Sequence, residues 1–216
     1  MINNIQNTPF KQFMPKQNTT VLEKKPVSNN NVKLKAAIGA TIGTLIPLGL
    51  MMKKRNTGNP LKLEYSLKDI LMLSATSVAG GTLGGMIGEN NKSKMNKFKE
   101  GTFQFLNAAL PTLGVAGGLK LCAKQQALNH IPFKILSTLI GIMAGMFGAI
   151  KLSNFMFDPK DKHPDRKLSP KDYLASADEA VGALALTKLP IIKVIQLDKA
   201  LPLIYGYCGY RAGKTN

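Results

Sequence analysis

The stretch from Ile70 to Gly88 reads ILMLSATSVAGGTLGGMIG and carries no charged side chain. At the helical rise of about 1.5 Å per residue it spans roughly 28 Å, close to the hydrocarbon thickness of a bilayer. Few soluble folds can accommodate so long an uncharged run that is also rich in glycine. Gly80, Gly84 and Gly88 recur every fourth residue, and Gly81 and Gly85 form a second strip beside them. Such spacing lets helix backbones approach closely in lipid, where packing rather than water drives association. The stretch therefore predicts a membrane helix packed on its glycine faces.

Three other apolar stretches are its expected neighbours. Ala36 to Met52 is preceded by Lys33 and Lys35 and followed by Lys53, Lys54 and Arg55, cations that can snorkel to headgroups at both ends. It holds Gly39 and Gly43 four apart, and Pro47, which removes a backbone donor and is expected to kink it. Thr102 to Leu121 contains Gln104, Asn107 and Pro111, then Gly114 and Gly118. It reads as a helix kinked at Pro111 or, alternatively, as a broken, re-entrant segment. Ile135 to Ile150 holds Gly141, Gly145 and Gly148 between Lys134 and Lys151. The Ile70 and Ile135 stretches overlay at a constant shift of 65, which admits a helical hairpin used twice. The fold expected is an all-α multipass membrane bundle of about four Gly-rich transmembrane helices, occupying residues 33–152.

The rest of the chain is polar. Residues 1–32, rich in Asn and Lys, read as a flexible tail with too few apolar side chains to offset the entropy of ordering. Ser66 and Asp69 form a capping-box pattern that opens the Ile70 helix. Residues 89–100 read as an exposed basic joint, and His130 as an ordinary surface residue in the next joint. Residues 153–175 read as a charged cytoplasmic loop. Asp158, Asp161, His163 and Asp165 are interleaved there with Lys160, Lys162, Arg166 and Lys167, and the acids lack the central glycine of a calcium loop. No metal site is expected. Residues 176–216 are expected to form helices lying at the interface or packed against the bundle, since the uncharged run from Ala200 to Tyr210 is short of a crossing. Tyr205, Tyr207 and Tyr210 would suit the headgroup level, and Asp178, Glu179 and Asp198 are the acids to watch.

A formal charge of +17 raises the choice between nucleic acid and an anionic membrane surface. The cations sit at joints between uncharged stretches, aromatic residues are 6% and Trp is absent, so base-stacking surfaces are scarce. The partner expected is a bilayer with anionic headgroups, with a homo-oligomer possible and no nucleic acid. Cys122 and Cys208, both beside apolar residues, read as buried free thiols. Residues 1–30 hold no apolar run of signal-peptide length, so insertion is expected to use an internal segment.

No phosphate loop, zincin pair, nucleophile elbow or Cys-His metal spacing occurs, and no catalytic, cofactor-binding or metal residues are assigned. The candidate functional residues are the helix-packing glycines: Gly39, Gly43, Gly80, Gly81, Gly84, Gly85, Gly88, Gly114, Gly118, Gly141, Gly145 and Gly148. The span plan and small-residue spacing resemble holins and the mitochondrial protein-import channel family, a resemblance that carries over no individual residue. The expected role is non-enzymatic, structural or assembly-related. A small pore or transporter and a soluble basic helical protein are the alternatives. Lys and Arg are commoner on the side of the N-terminal tail, which places both termini in the cytoplasm of an inner-membrane protein, although Lys53-Lys54-Arg55 opposes this locally.

Overall fold

Local chemistry sets the helix starts. The Ser66 hydroxyl accepts from the Asp69 N–H, and the Asp69 carboxylate accepts from the Ser66 N–H at 2.9 Å, so two orphan donors of the first turn are satisfied reciprocally. Asn90 does similar work one helix later, its side chain accepting from the Ser93 N–H at 2.8 Å. Pro132 in the first turn opens a further helix, where its missing N–H is not needed. The structure, a computed structural model, describes residues 30–160, 181, 183–187 and 197–215. Of these, 86% are helical and none lies in a strand.

Among the described residues five long α-helices carry the architecture: α1 (Asn30–Lys54), α2 (Leu67–Met86), α3 (Asn91–Lys124), α4 (Ile131–Phe157) and α5 (Leu201–Lys214). α1 and α2 form one antiparallel hairpin, α3 and α4 another. α5 packs against both α1 and α2, parallel to α2, and also touches α3. Leu201, Tyr205, Cys208 and Ala212, spaced four, three and four apart, are fully buried on one face of α5. Tyr205 is therefore in the core of the bundle, whereas Tyr207 is exposed. Spacing along the helix decides it, because Tyr205 shares the face of Leu201 and Cys208 whereas Tyr207 does not.

Among the described residues three helices are long and apolar enough to cross a membrane, namely α1, α3 and α4, and they suggest a membrane protein. α2 is not among them, so the expected count of four is not confirmed. Ser74, Thr76, Ser77, Thr82 and four glycines make α2 weakly apolar, and α1, α3 and α5 all pack against it. The helix also ends earlier than expected. It stops at Met86, and Gly88 sits in the following turn with φ +83°, a left-handed conformation that glycine adopts without penalty.

Two more expectations are corrected. Residues 91–100 are helical, forming the first turns of α3, and Lys97 among them is fully buried. The Asn90 cap starts the helix there, and Lys97 reaches the Thr215 carbonyl just past the end of α5. Neither proline breaks its helix: α1 runs through Pro47 and α3 through Pro111, so the Thr102 segment is continuous and not re-entrant. Beside Pro111, the Thr112 hydroxyl turns back on its own helix and donates to the Ala108 carbonyl at 2.7 Å.

Burial is inverted relative to a soluble protein. Where helices touch, the interior is lined by Ala36, Ala40, Gly43, Ser77, Gly81 and Gly85, beside one cluster of larger side chains that includes Ile70, Leu73, Leu201 and Tyr205. Leu34, Ile38, Ile42, Leu45, Ile46 and Leu50 of α1 all face outward, as do Leu136, Leu139, Ile140, Met143 and Phe147 of α4. Soluble monomers do not leave continuous apolar surfaces of this extent. Small inside and large apolar outside is the arrangement that close helix packing in lipid requires.

Candidate functional site

α2 is the hub because its two small-residue strips face different partners. On the first strip, a Cβ built on Gly80 would strike the Gly39 carbonyl, and one on Gly84 the Lys35 carbonyl. In return Gly43 lies against the backbone of Thr76 and Ser77. On the second strip, Gly81 abuts the Gly209 carbonyl and Gly85 the Gly213 carbonyl. Gly209 abuts Ser77, whose hydroxyl donates to the Tyr205 carbonyl. The backbone of α2 thus meets that of α1 on one strip and that of α5 on the other, while α1 and α5 touch through Ala36 and Thr44.

The second hairpin uses the same device. Gly114 and Gly141 face each other across α3 and α4, Gly118 receives the Ser137 hydroxyl, and Gly145 makes the room into which Pro111 packs. Gly148 meets only the Leu110 side chain at 3.6 Å, an ordinary contact. Gly80 and Gly145, matched by the shift of 65, each mark the crossing of their own hairpin. Gly209 and Gly213 escaped the sequence reading, although they too are four apart. Their small-residue spacing is the sequence signal that marks them, in a run too short to cross a membrane by itself.

A second feature lies between α2 and α3. Thr82 stands against Gly101, and the Gln104 amide nitrogen donates to the Glu100 carboxylate at 2.8 Å. Gln104 and Asn107 are each 1% exposed, and Ser74 is equally buried on α2. The ammonium of Lys97 donates to the Thr215 carbonyl at 2.5 Å, holding the end of α5 against α3.

At the other end of the bundle, a polar cluster ties the α1–α2 joint. Arg55 pairs with Asp69, which also takes the Ser66 hydroxyl at 2.6 Å. Burial works against the Asp69 carboxylate, but the Ser66 hydrogen bonds and Arg55 outweigh it and hold its pKa below the ordinary 3.8. Burial first, then Asp198 and Asp69, push the Tyr65 phenol up to about 12 against the pull of Arg55.

The remaining sequence candidates divide. His130 is exposed and precedes α4 without a side-chain cap bond. Cys122 and Cys208 are buried free thiols. The Tyr207 and Tyr210 rings stand 6.3 Å apart, with Lys214 over Tyr210 at 4.8 Å. Asp158 ends α4, its N–H donating to the Asn154 carbonyl at 2.7 Å. The tail before Asn30, and Asp161, His163, Asp165, Asp178 and Glu179, lie outside the described residues. Compared with known families, curated proteins and solved structures, the chain matches none.

Proposed function

We propose that this chain is a non-enzymatic integral membrane protein with a structural or assembly role, built on glycine-packed helices. The observation that carries the proposal is the inverted burial. Glycine, alanine and hydroxyl residues meet backbone to backbone inside, while Leu, Ile, Met and Phe cover the outside of α1 and α4. An aqueous protein with that exterior would aggregate. In this proposal the partner is a bilayer with anionic headgroups, approached by the basic joints. The site is the cytoplasmic membrane, with both termini on the cytoplasmic side and self-association possible. Alkaline carbonate extraction of membranes from expressing cells tests the core of the proposal. The chain is expected in the pellet; a chain released by carbonate and monodisperse without detergent refutes it.

A second reading, a small pore or transporter, is favoured by the buried Gln104, Asn107, Ser74 and Thr82, because polar side chains at membrane depth commonly face a polar path. Solute flux into proteoliposomes tests it, and no flux under any imposed gradient counts against it.

A further inference from the structure

We propose that the end of the bundle where α3 begins and α4 and α5 finish carries an aromatic-and-lysine patch that seats in the headgroup layer of an anionic phospholipid leaflet. This rests on the reading of the chain as membrane-embedded and names the part of it that meets the headgroups.

The second hairpin stays paired to this end. The Phe98 and Phe157 rings meet edge to face with 6.1 Å between centroids, and the Lys99 ammonium stands 5.8 Å from the centre of the Phe157 ring. Around them the surface is apolar and basic at once. Met95, Phe98, Phe155 and Met156 are exposed, Phe155 to 69%. Lys92, Lys94, Lys99 and Lys151 are exposed as well. The two kinds of side chain share strips: Lys94 and Phe98 are four apart on α3, as are Lys151 and Phe155 on α4. α5 repeats the pairing, with Lys214 standing 4.8 Å over Tyr210. The bond from Lys97 to Thr215 holds that end of α5 beside the start of α3.

Helix length sets the depth. The uncharged run of α3, 101–119, is centred on Leu110, and that of α4, 135–150, next to Met143. Phe98 and Phe155 each lie about twelve residues from those centres, roughly 18 Å along a straight helix. Half the hydrocarbon thickness is about 15 Å, so both rings fall just beyond it, and a tilt of about 20° still leaves them near 17 Å.

Chemistry selects the same layer. Deeper in the hydrocarbon the lysines would be heavily penalised, and in water the Phe and Met surface would lie bare. Between the two, rings meet acyl chains while ammonium groups reach phosphate. The exposed lysines outnumber the half-buried acids beside them, Glu89, Glu100 and Asp158, and Glu89 already accepts from the Ser93 hydroxyl at 2.6 Å. The excess positive charge favours an anionic headgroup over a zwitterionic one.

The chain holds no Trp, so one introduced Trp reports one place. Phe155→Trp and Phe147→Trp, both at exposed positions of α4, are reconstituted in vesicles of phosphatidylcholine and phosphatidylglycerol whose acyl chains are brominated either near the headgroup or near the chain end. Phe147 lies about four residues from the centre of its run, and its variant is expected to be quenched more by the deep bromines. The Phe155 variant is expected to be quenched more by the shallow ones. Deep quenching or none at position 155, with position 147 quenched, overturns the proposal and leaves membrane insertion standing. No quenching at either position overturns the membrane reading, and the proposal with it. With the shallow bromines carried on phosphatidylglycerol and then on phosphatidylcholine at the same share, the Phe155 variant is expected to be quenched about twofold more by the former. Lys94→Gln together with Lys99→Gln is expected to remove that preference. Equal quenching before the lysines are replaced, or a preference that survives their replacement, overturns the proposal as well.

Discussion

Replacing Gly209 with alanine adds one carbon at the place where α5 touches α2. That carbon would fall on the Ser77 carbonyl, 2.7 Å from its carbon and 2.9 Å from the Ser77 hydroxyl. Ordinary contact begins near 3.4 Å, so the two backbones must part by roughly 1 Å. A gap of that size forfeits about a quarter to a half of each atom pair's attraction. Overpacked substitutions of this kind cost about 1–3 kcal/mol. The Ser77–Tyr205 hydrogen bond, worth about 1 kcal/mol, is stretched at the same time. Gly49→Ala supplies the control, since nothing lies within 4 Å of its added carbon. Both variants gain about 1 kcal/mol of helix propensity, which cancels in the comparison. The expected difference is about 2–4 kcal/mol, or roughly 30-fold or more in the folding equilibrium. Reversible unfolding in mixed micelles of dodecylmaltoside and SDS, followed by circular dichroism, measures it. If the two variants agree within about 0.5 kcal/mol, backbone contact is not what seats α5.

Three further outcomes are expected. Gly88→Ala forces an L side chain into φ +83° and should cost about 1–2 kcal/mol in the same unfolding assay, with no loss if the turn relaxes freely. The Asp69 carboxylate titrates below its unfolded value of 3.8, so its stabilisation is present above that value and fades as pH falls through the folded pKa. Asp69→Asn should cost about 1 kcal/mol near neutral pH and flatten the acid limb of a stability–pH curve; an unchanged limb argues against the Arg55–Asp69–Ser66 cluster. The Tyr65 phenol, raised from 10.0 to about 12, contributes stability below the unfolded value that is lost as pH climbs through the folded one. Tyr65→Phe removes that dependence and a buried hydroxyl that lacks a protein partner, so neutral-pH stability should hold or rise by about 1 kcal/mol.

Much of the bundle was legible because its long apolar helices show themselves twice, by uncharged length and by small-residue period. The strips at Gly80 and Gly81 lie on adjoining faces, and each meets its own partner, α1 on the first and α5 on the second. Length failed where the helix is sheltered by protein. α2 is too rich in serine, threonine and glycine to rank as a span, and α5 is too short, yet both sit at the centre because neighbours cover them. Charge misled at Lys97, which looks like loop chemistry but meets a backbone carbonyl far away in sequence. Such long-range partners leave no local pattern.

The bundle also fixes which chain ends share a face. Lys35 near the start of α1 donates to the Ile87 carbonyl in the α2–α3 turn at 3.1 Å. Ala36 of the same turn of α1 lies against Gly213 near the end of α5. Lys97 early in α3 reaches Thr215. The first turns of α1 and the last turn of α5 therefore lie at one end of the bundle, and the joint holding Asn56 and Tyr65 at the other. In the membrane this predicts a sided labelling pattern, independent of any charge rule. Charge gives little guidance here, because Lys33, Lys35, Lys92 and Lys94 at the first end face Lys53, Lys54, Arg55 and Lys62 at the second. With Cys122 and Cys208 replaced by alanine, cysteines at Asn31 and Thr215 should react together with an impermeant maleimide from one side of intact vesicles, and one at Thr57 only from the other. Labelling of Asn31→Cys and Thr215→Cys from opposite sides would mean that α5 does not run beside α2, and the glycine contacts at Gly81 and Gly85 would fall with it.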